Sequence, residues 1–499
     1  MRKQLFGQGF SRPTLTRSVV ALVMISMLLI YGIFLASKVG AYAGGSDSSG
    51  YLNNARLLSD WQLIIEQRTV DGLRSETLPS WTYIPLGFVP TGNHQMIPTY
   101  PMGLPLMILG MSYLTGWADA ADVTLLLNAL GSIIVLYFLA RLCGLSRSLA
   151  SVATIILGSS AIFIFQSLVN MSDVPALAWC SLAILLAMLA RRDDRWALAS
   201  GTAVAMSVLV RPTDALVMVP VAIAIGFSWR KWVWLLVGGS PGVVFVSLLN
   251  LELYGSILKT GYGAVGGLFD PGYVPLGLAA YAHWLPEMLT PGIFIIVLAP
   301  FFLRSQPQGL TILAGWILTL LGFYSAYFFT HDSWTFMRFP LPAFGAIIIL
   351  MLLTCQRWLR KLPLTAQRMA NLAMLALVLV WNGYWVSDYG AFNSGRGDKS
   401  YLLATEWINA NLPQNSVLVA MQTSGALLYY TKFTFVRWDQ FTKQTFTEVE
   451  QKMTDAGLPI YAVLFPFEKK QVLEERMPGH WDLMTTIDAI TIWRRGPPD

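Results

Sequence analysis

The chain has 499 residues, of which 55% are hydrophobic and only 12% are charged. Apolar residues in long runs exclude a soluble globular core and indicate a polytopic α-helical membrane protein, because backbone groups in lipid must pair within their own segment. The formal net charge is +6, but Lys and Arg lie beside apolar runs rather than along one polar face, so no nucleic-acid partner is expected. The three cysteines lie in or beside apolar runs and indicate neither disulfides nor a zinc site.

The first apolar run covers about residues 18–39 and follows a basic N-terminal segment. Ala41-Tyr42-Ala43 resembles a signal-peptidase site, but the run is long for a signal peptide and more runs follow, so we expect an uncleaved anchor that runs outward. Residues 40–122 are too polar and too rich in Pro and Gly for a simple span. They are predicted to form a first outer loop with helices lying on the membrane surface.

Basic residues at the ends of the later apolar runs predict which side of the membrane each end faces. The predicted path has spans at 122–142 and 149–168, a second outer loop at 170–175, and a span ending at Leu189. A broken hairpin at 196–228, a span at 232–251 and a third outer loop at 255–289 follow, and the last spans are at 291–303, 310–329, 338–353 and 369–385. Residues 1–389 therefore form a membrane domain of about eleven helices, after which the chain continues on the outer side.

The composition changes at about residue 390, where Lys, Glu, Asp and Gln become frequent and no run of span length remains. Helix-like and strand-like pieces alternate from there, for example at 401–411, 416–421 and 460–466. Residues 390–499 are therefore predicted to be a small α/β domain of usual size. The predicted topology places this domain outside the cytoplasm, over the first and second outer loops.

A stretch of small residues with one acid, Gly44 to Tyr51, directly follows the first span. A carboxylate at the membrane surface is a candidate base for a polar substrate, and this makes Asp47 the leading catalytic candidate. Asp173, in the second outer loop, faces the same side. The plain alternative is that a Gly/Ser stretch with one acid is only a solvated turn.

The other outer-side candidates are cations and histidines. His283 and Glu287 have the i, i+4 spacing of a helix and could share a divalent metal, and His331 faces the same compartment. Lys259 and Arg338 are the outer-side cations nearest to apolar runs, where a phosphate held at the interface would find positive charge.

Arg211 and Asp214 lie in the broken hairpin, where Pro212 is expected to begin the second half. A charge at mid-bilayer is costly, and the i, i+3 spacing of the two residues allows partial neutralisation. Arg211 could then bind a lipid phosphate from a cavity. The alternative is a snorkelling arginine at a helix break.

Short motifs in a characteristic order extend over nearly the whole chain. They are Gly45-Ser46-Asp47 with Tyr51 and Ala55-Arg56, Tyr100 to Pro105, Ser172 to Pro175, Arg211-Pro212-Thr213, Tyr254-Gly255-Ser256 with Thr260 to Gly263, and Arg338 to Pro342. Their order and spacing resemble those of the GT-C superfamily of polyprenyl-phosphate-sugar-dependent glycosyltransferases. That superfamily includes protein O-mannosyltransferases and lipid A aminoarabinose transferases.

The resemblance implies roles for several residues. Asp47 would be the catalytic base, Asp173 would bind the acceptor or support the base, and Arg338 would lie near the lipid phosphate. Tyr51 and Tyr100 belong to matching motifs and are expected at the substrate site. The first loop of the family often carries two adjacent acids, whereas Asp47 is flanked by serines, so the need for a metal stays open.

The leading hypothesis is an inverting glycosyltransferase that passes a sugar from a polyprenyl-phosphate donor to a lipid, glycan or protein acceptor on the outer face. The expected location is a bacterial or archaeal plasma membrane. A phosphate is a good leaving group, so one base and several cations suffice for the chemistry. One alternative is a lipid flippase or transporter that uses the break at Arg211. Another is a glycosidase that uses two carboxylates.

Overall fold

The computed structural model describes residues 15–70, 73, 78–263, 265–304 and 307–496. A helical body comes first and a domain built on a mixed sheet follows it. The basic residues that precede Leu15 lie outside the described residues. The predicted fold class, a polytopic helical membrane protein with a C-terminal α/β domain, is confirmed.

The helical body contains fifteen α-helices and a three-stranded sheet among its described residues. Its elements are α1 (Leu15–Ala36), α2 (Gly45–Ser59), β1 (Ile65–Glu66), β2 (Phe88–Pro90), β3 (Gln95–Pro98), α3 (Gly103–Thr115), α4 (Ala120–Leu142), α5 (Arg147–Gly158), α6 (Ala161–Leu168), α7 (Asp173–Leu189), α8 (Trp196–Val210), α9 (Met218–Ile225), α10 (Trp229–Tyr254), α11 (Val274–Met288), α12 (Ala299–Phe302), α13 (Pro307–Ser325), α14 (Phe344–Leu359) and α15 (Leu364–Asp388). Short 3₁₀ segments join several of these helices.

The helices include membrane spans of several kinds. Within the described part of the chain, five helices are long and apolar enough to cross a membrane, namely α4, α10, α13, α14 and α15. Two bent pairs raise that number to seven: α5 with α6, bent by 61°, and α11 with the helical turns that follow it, bent by 117°. Shorter apolar helices, among them α7 and α8, pack between them. The chain is a multi-pass membrane protein.

The broken hairpin forms where the sequence predicts it. Helix α8 ends at Val210, Arg211 is extended (φ −149°, ψ 113°), and a 3₁₀ segment begins at Pro212. Proline has no N–H to continue the helical ladder, and it disfavours a helical conformation of the residue before it. The break therefore presents Arg211 sideways from the helix end.

Two segments predicted as loops are helical. Helix α2 begins at Gly45, so Asp47 lies in the first turn of a helix rather than in a loop. Most residues of α2 are buried, and burial of a helix against its neighbours overrides the weak helix propensity of Gly and Ser. Helix α11 occupies the second half of the predicted outer loop 255–289. Its prolines lie in the first and last turns, where a helix tolerates them better than at its centre.

The C-terminal domain is a five-stranded mixed sheet with helices around it. Its elements are α16 (Ser394–Gly397), α17 (Lys399–Asn411), β4 (Val417–Val419), α18 (Ser424–Tyr430), β5 (Thr434–Val436), α19 (Lys443–Asp455), β6 (Ile460–Leu464), a π-helical turn (Gln471–Arg476), β7 (Trp481–Ile487) and β8 (Ile490–Arg495). The strand order is β5-β4-β6-β8-β7, parallel from β5 to β6 and antiparallel from β6 to β7.

The domain shares a core with the first outer loop. Val70, Leu73 and Tyr83 of the loop pack among the apolar side chains on one face of the sheet. The backbone N–H of Arg437 donates to the carbonyl of Thr82 at 2.8 Å. The sheet is therefore fixed to the loop that carries α2, and this sets the position of α2 relative to the membrane helices.

Candidate active site

A cavity of about 860 Å³ lies between the first outer loop and the membrane helices. Its lining comes from α2 and Tyr100, from residues 172–173 at the start of α7, and from the break at 211–213. It also comes from the end of α10 and the segment after it (residues 254–263 and 265–269), and from the end of α13 and the segment after it (residues 324–339). Each of these segments begins or ends a helix. The cavity therefore collects side chains from helix ends distant in sequence, which is where binding sites in helical proteins commonly form.

Helix α2 brings Asp47 to the cavity through close packing. A Cβ atom on Gly50 would lie 2.3 Å from Cδ2 of Tyr100, so only glycine lets the ring lie against the helix. The hydroxyls of Tyr100 and Ser46 are hydrogen bonded at 2.7 Å. Burial raises the pKa of Tyr100 well above its ordinary value, and the charge of Asp47 adds to this effect. The hydroxyl therefore remains protonated beside the carboxylate.

Asp47 pairs with Arg338, the last residue of a 3₁₀ segment that precedes α14. Arg338 Nη1 lies 3.1 Å from Asp47 Oδ2, and the guanidinium carbon lies 5.1 Å from the ring centre of Phe339. The side chain of Asp47 is 30% exposed and that of Arg338 is 20% exposed. The pair is thus held in place while one side of the carboxylate remains open to the cavity.

Asp173 pairs with Arg211, although the sequence suggested Asp214 as the partner of this arginine. Arg211 Nη2 donates to Asp173 Oδ1. Arg211 is extended at the break and not helical, so its ion pair forms with Asp173. Asp214 still interacts with Arg211 through its charge, in line with the predicted partial neutralisation. The side chain of Asp173 is 1% exposed, so Asp173 is much less accessible than Asp47 and is better suited to hold Arg211.

The two acidic segments are joined directly. Asn170 Nδ2 donates to the carbonyl of Ser48 at 3.0 Å, and the hydroxyl of Ser48 donates to Sδ of Met171 at 3.8 Å. These contacts tie the first turn of α2 to the loop before α7. These two hydrogen bonds help to fix the position of Asp47 relative to Asp173.

Much of the remaining lining is aromatic, and it includes one additional cation. Six tyrosines line the cavity: Tyr51, Tyr100, Tyr254, Tyr262, Tyr324 and Tyr327. Lys259 lines it as well, is exposed, and makes no ion pair with any residue that the structure describes. Tyr324 and Tyr327 were not predicted as site residues, and the aromatic cluster at the end of the α13 span was the signal that could have indicated them.

Comparison with known proteins shows the fold. No protein-family model and no curated protein sequence matches the chain. Among solved structures, ArnT from Cupriavidus metallidurans in the apo state is similar over 97% of this chain and 100% of its own, with a TM-score of 0.57 and 14% identity. The same protein bound to undecaprenyl phosphate gives the same score.

Two further matches agree. The Archaeoglobus fulgidus oligosaccharyltransferase, tethered with an acceptor peptide, is 12% identical over 89% of this chain and 69% of its own, with a TM-score of 0.55. The mycobacterial arabinofuranosyltransferase AftD is 13% identical over 98% of this chain and 40% of its own, with a TM-score of 0.53. The chain has the GT-C fold. At these identities the likeness establishes the fold. The GT-C resemblance indicated by the order of the motifs is therefore confirmed for the fold.

Three of the predicted site residues lie away from the cavity. His283 Nε2 lies 3.8 Å from Glu287 Oε1, and Glu287 accepts a hydrogen bond from the hydroxyl of Tyr389. His331 packs between aromatic rings, with its centre 5.6 Å from that of Tyr273. None of the three lines the cavity. Among the described residues, no three His, Cys, Asp or Glu side chains come close enough to share a metal ion.

The C-terminal domain, which was expected to lie over the first and second outer loops, contacts α2 along its length. Asn53 Nδ2 donates to the carbonyl of Gly425 at 3.0 Å. Arg56 Nη1 donates to the carbonyl of Tyr429 at 3.1 Å, and its guanidinium carbon lies 3.6 Å from the centre of that ring. The backbone N–H of Ala43 donates to the hydroxyl of Tyr430 at 3.0 Å. The domain therefore holds the helix that carries Asp47.

A buried acid lies beneath the N-terminus of α2. A Cβ atom on Gly44 would lie 2.3 Å from Asp398 Cγ, so the carboxyl group packs directly against this end of the helix. Burial raises the pKa of Asp398 to about 6, and the side chain of Ser48 opposes that shift in part. Asp398 is thus a titratable contact between the C-terminal domain and the turn of α2 that contains Asp47.

Proposed function

We propose that the protein is an inverting glycosyltransferase that moves a sugar from a polyprenyl-phosphate donor to an acceptor hydroxyl on the outer face of the membrane. The observation that carries this proposal is the pairing of Asp47 with Arg338 at the open side of a cavity whose lining also contains Arg211 and Lys259. One accessible carboxylate surrounded by cations is the arrangement that transfer from a phosphate requires.

The acceptor must lose a proton as it attacks the anomeric carbon. Asp47 acts as the general base, and such assistance is typically worth about 10² to 10⁴ in rate. As the bond from the acceptor to the anomeric carbon forms, the bond to the phosphate oxygen breaks and its electron pair stays with the phosphate. Attack on the face opposite the phosphate inverts the anomeric centre. Asp173 supports the site by orienting Arg211.

Arg338 has two partners during this reaction. Before transfer it neutralises Asp47, which it contacts at 3.1 Å. When Asp47 takes the proton of the acceptor, it becomes neutral and the guanidinium is free to interact with the charge that develops on the leaving phosphate. A cation already in place at that charge costs little reorganisation, which is the main advantage of a preorganised site.

The lipid part of the donor fits the remaining lining. Leu258, Val265, Leu268 and Phe269 form an apolar wall next to Lys259. A phosphate at Lys259 would leave the prenyl chain against this wall and directed toward the membrane. The ArnT structure of the same fold that holds undecaprenyl phosphate supports this choice of donor. The acceptor is a glycan, a lipid or a protein, and the membrane is a bacterial or archaeal plasma membrane.

The test is sugar transfer in proteoliposomes with labelled polyprenyl-phosphate sugars and a native lipid and glycan extract. Asp47→Asn should slow product formation by about 10² to 10⁴ because it removes the base. Glu448→Gln, which also replaces a carboxylate with an amide, is at an exposed residue of α19 and serves as the matched control. Undiminished transfer by Asp47→Asn would refute the assignment. Movement of the lipid across the bilayer without a covalent product would favour a flippase instead.

A further inference from the structure

The charged groups of the cavity limit the charge that its ligand can carry. Arg211, Lys259 and Arg338 contribute cations, and Asp47 and Asp173 are the carboxylates among the described residues of the lining. Three cations against two carboxylates leave one positive charge in excess. A ligand that enters such a partly closed site is matched when it brings one negative charge.

The excess charge has a definite position. Asp47 is committed to Arg338 and Asp173 to Arg211, so both arginines are already neutralised. Lys259 is left as the cation without a carboxylate among the described lining residues. Asp214 lies behind the break, does not line the cavity, and is 1% exposed with no hydrogen-bond partner for Oδ2. Asp214 is therefore not among the groups that a ligand in the cavity would contact.

We infer that the donor is a polyprenyl monophosphate carrying a sugar without charged groups. This inference rests on the proposed function and specifies its substrate. The single negative charge of a phosphodiester matches Lys259. An amino sugar would add a cation where each lining carboxylate already has a partner, and an unpaired charge in such a site is costly. A pyrophosphate or a uronic acid would add negative charge beyond the one free cation.

The uncharged part of the lining suits an uncharged sugar. The rings of Tyr51 and Tyr100 lie 5.1 Å apart, and those of Tyr100 and Tyr262 lie 5.9 Å apart. Tyrosine combines an apolar ring face with a hydroxyl that both donates and accepts. Such a wall contacts the C–H face of a sugar and hydrogen bonds to its hydroxyl groups without requiring charge.

The charges of the donor and of the cavity lining remain balanced through the reaction. When the bond between the anomeric carbon and the phosphate oxygen breaks, its electron pair leaves the phosphate with a second negative charge. The proton of the acceptor passes to Asp47, so the lining gains one positive charge at the same time, on the freed Arg338. Donor and site therefore remain balanced from substrate to product, which holds only for a monophosphate with a neutral sugar.

Competition binding to the purified protein tests this inference independently of turnover. The probes are polyprenyl phosphates of one chain length that carry a neutral hexose, the matching amino-hexose or the matching uronic acid, and the neutral hexose on a pyrophosphate. We expect the neutral monophosphate to bind about tenfold more tightly than each of the others, the scale of one unmatched charge in a partly solvated site. Equal or weaker binding of the neutral monophosphate would overturn the inference.

A change of charge at Lys259 provides the second arm. Lys259→Gln should weaken binding of the neutral-hexose monophosphate about tenfold and remove most of its advantage over the amino-hexose, because the lining then has no excess charge. Lys259→Arg should restore the preference. Lys443→Gln on α19, an exposed lysine remote from the cavity, is the matched control. Melting temperatures of all variants verify that they are folded.

The two proposals fail in different ways. An unchanged preference in Lys259→Gln would overturn the role of charge matching. Covalent transfer from the amino-hexose donor at the rate of the neutral donor would also overturn it, while the assignment as a glycosyltransferase would stand. Binding with the expected preference but without transfer to any acceptor would leave the charge matching supported and count against the glycosyltransferase itself.

Discussion

Arg338→Gln is the substitution that separates a catalytic ion pair from a merely structural one. At 3.1 Å the attraction between Arg338 and Asp47 is about 5 kcal/mol for an effective dielectric of about 20. Because the two side chains are 20% and 30% exposed, solvent screening and desolvation reduce the net contribution to stability to about 1 kcal/mol. The free energy of unfolding should therefore change little.

The effect on transfer should be far larger. Removing one preorganised donor from a developing negative charge typically costs about 10² to 10³ in kcat. Arg338→Gln should show a loss of that size, and Arg338→Lys should recover part of it because the charge returns without the planar fork. Arg494→Gln, at an exposed position of β8, is the matched control and should leave transfer unchanged.

The double variant Asp47→Asn/Arg338→Gln is the decisive member of the set. If the two residues act as a unit, the double variant should transfer sugar within about tenfold of the slower single variant, since groups that act together are strongly non-additive. The measurement is initial rates of labelled product in proteoliposomes, with melting temperatures as the folding control. Losses that multiply, so that the double variant is slower than the slower single variant by the full factor that the other substitution costs, would refute the coupled roles of base and cation.

Three further outcomes follow from the geometry. Gly50→Ala should lower the melting temperature by an amount equivalent to about 1 to 3 kcal/mol, because its Cβ atom would meet Tyr100 at 2.3 Å; Gly92→Ala, which meets nothing within 4 Å, is the control. Burial raises the pKa of Asp398 to about 6 from an ordinary 3.8, so its ionisation destabilises the fold as the pH rises from about 4 to above 6. Asp398→Asn should therefore lose that dependence and melt at a higher temperature than wild type at pH 8, and equal melting curves across pH 4 to 8 would count against it. His283→Gln should keep transfer rates within about twofold, because the side chain is 67% exposed and lies outside the cavity.

Local sequence patterns predicted the helical body and its break. Long apolar runs with basic ends are specified within single segments, and Pro212 alone is sufficient to interrupt a helix. The first turn of α2 was predicted as a loop because Gly and Ser have weak helix propensity, and only its burial by distant partners makes it helical. The β7–β8 hairpin at the end of the chain was likewise not singled out.

In the candidate site, too, the individual residues were predictable from local sequence, whereas their contacts were not. Asp47, Asp173, Arg211, Lys259 and Arg338 were each recognisable as charges beside apolar runs, and the structure brings all five to one cavity. Their pairing was not predictable, because Asp173 and Arg211 are 38 positions apart and Asp47 and Arg338 are 291 positions apart. No local spacing encodes such contacts, which depend on how the helix ends assemble.

The contact that Asp398 of the C-terminal domain makes with the start of α2 was also not predictable from the sequence. Asp398 is one acid in a polar stretch, and nothing in the residues around it indicates that it packs beneath Gly44 and Ser48. The burial that raises its pKa comes from the first outer loop, more than three hundred positions earlier in the chain. A sequence pattern describes a residue by its neighbours, whereas this residue takes its properties from a distant segment.

The most direct test of the central claim follows one labelled donor through a complete reaction in sealed proteoliposomes. We predict that labelled sugar becomes covalently attached to the acceptor with inverted anomeric configuration, that one polyprenyl phosphate is released for each sugar transferred, and that Asp47→Asn slows both by about 10² to 10⁴. A retained anomeric configuration, or release of the free sugar in place of an acceptor product, would contradict direct displacement assisted by Asp47.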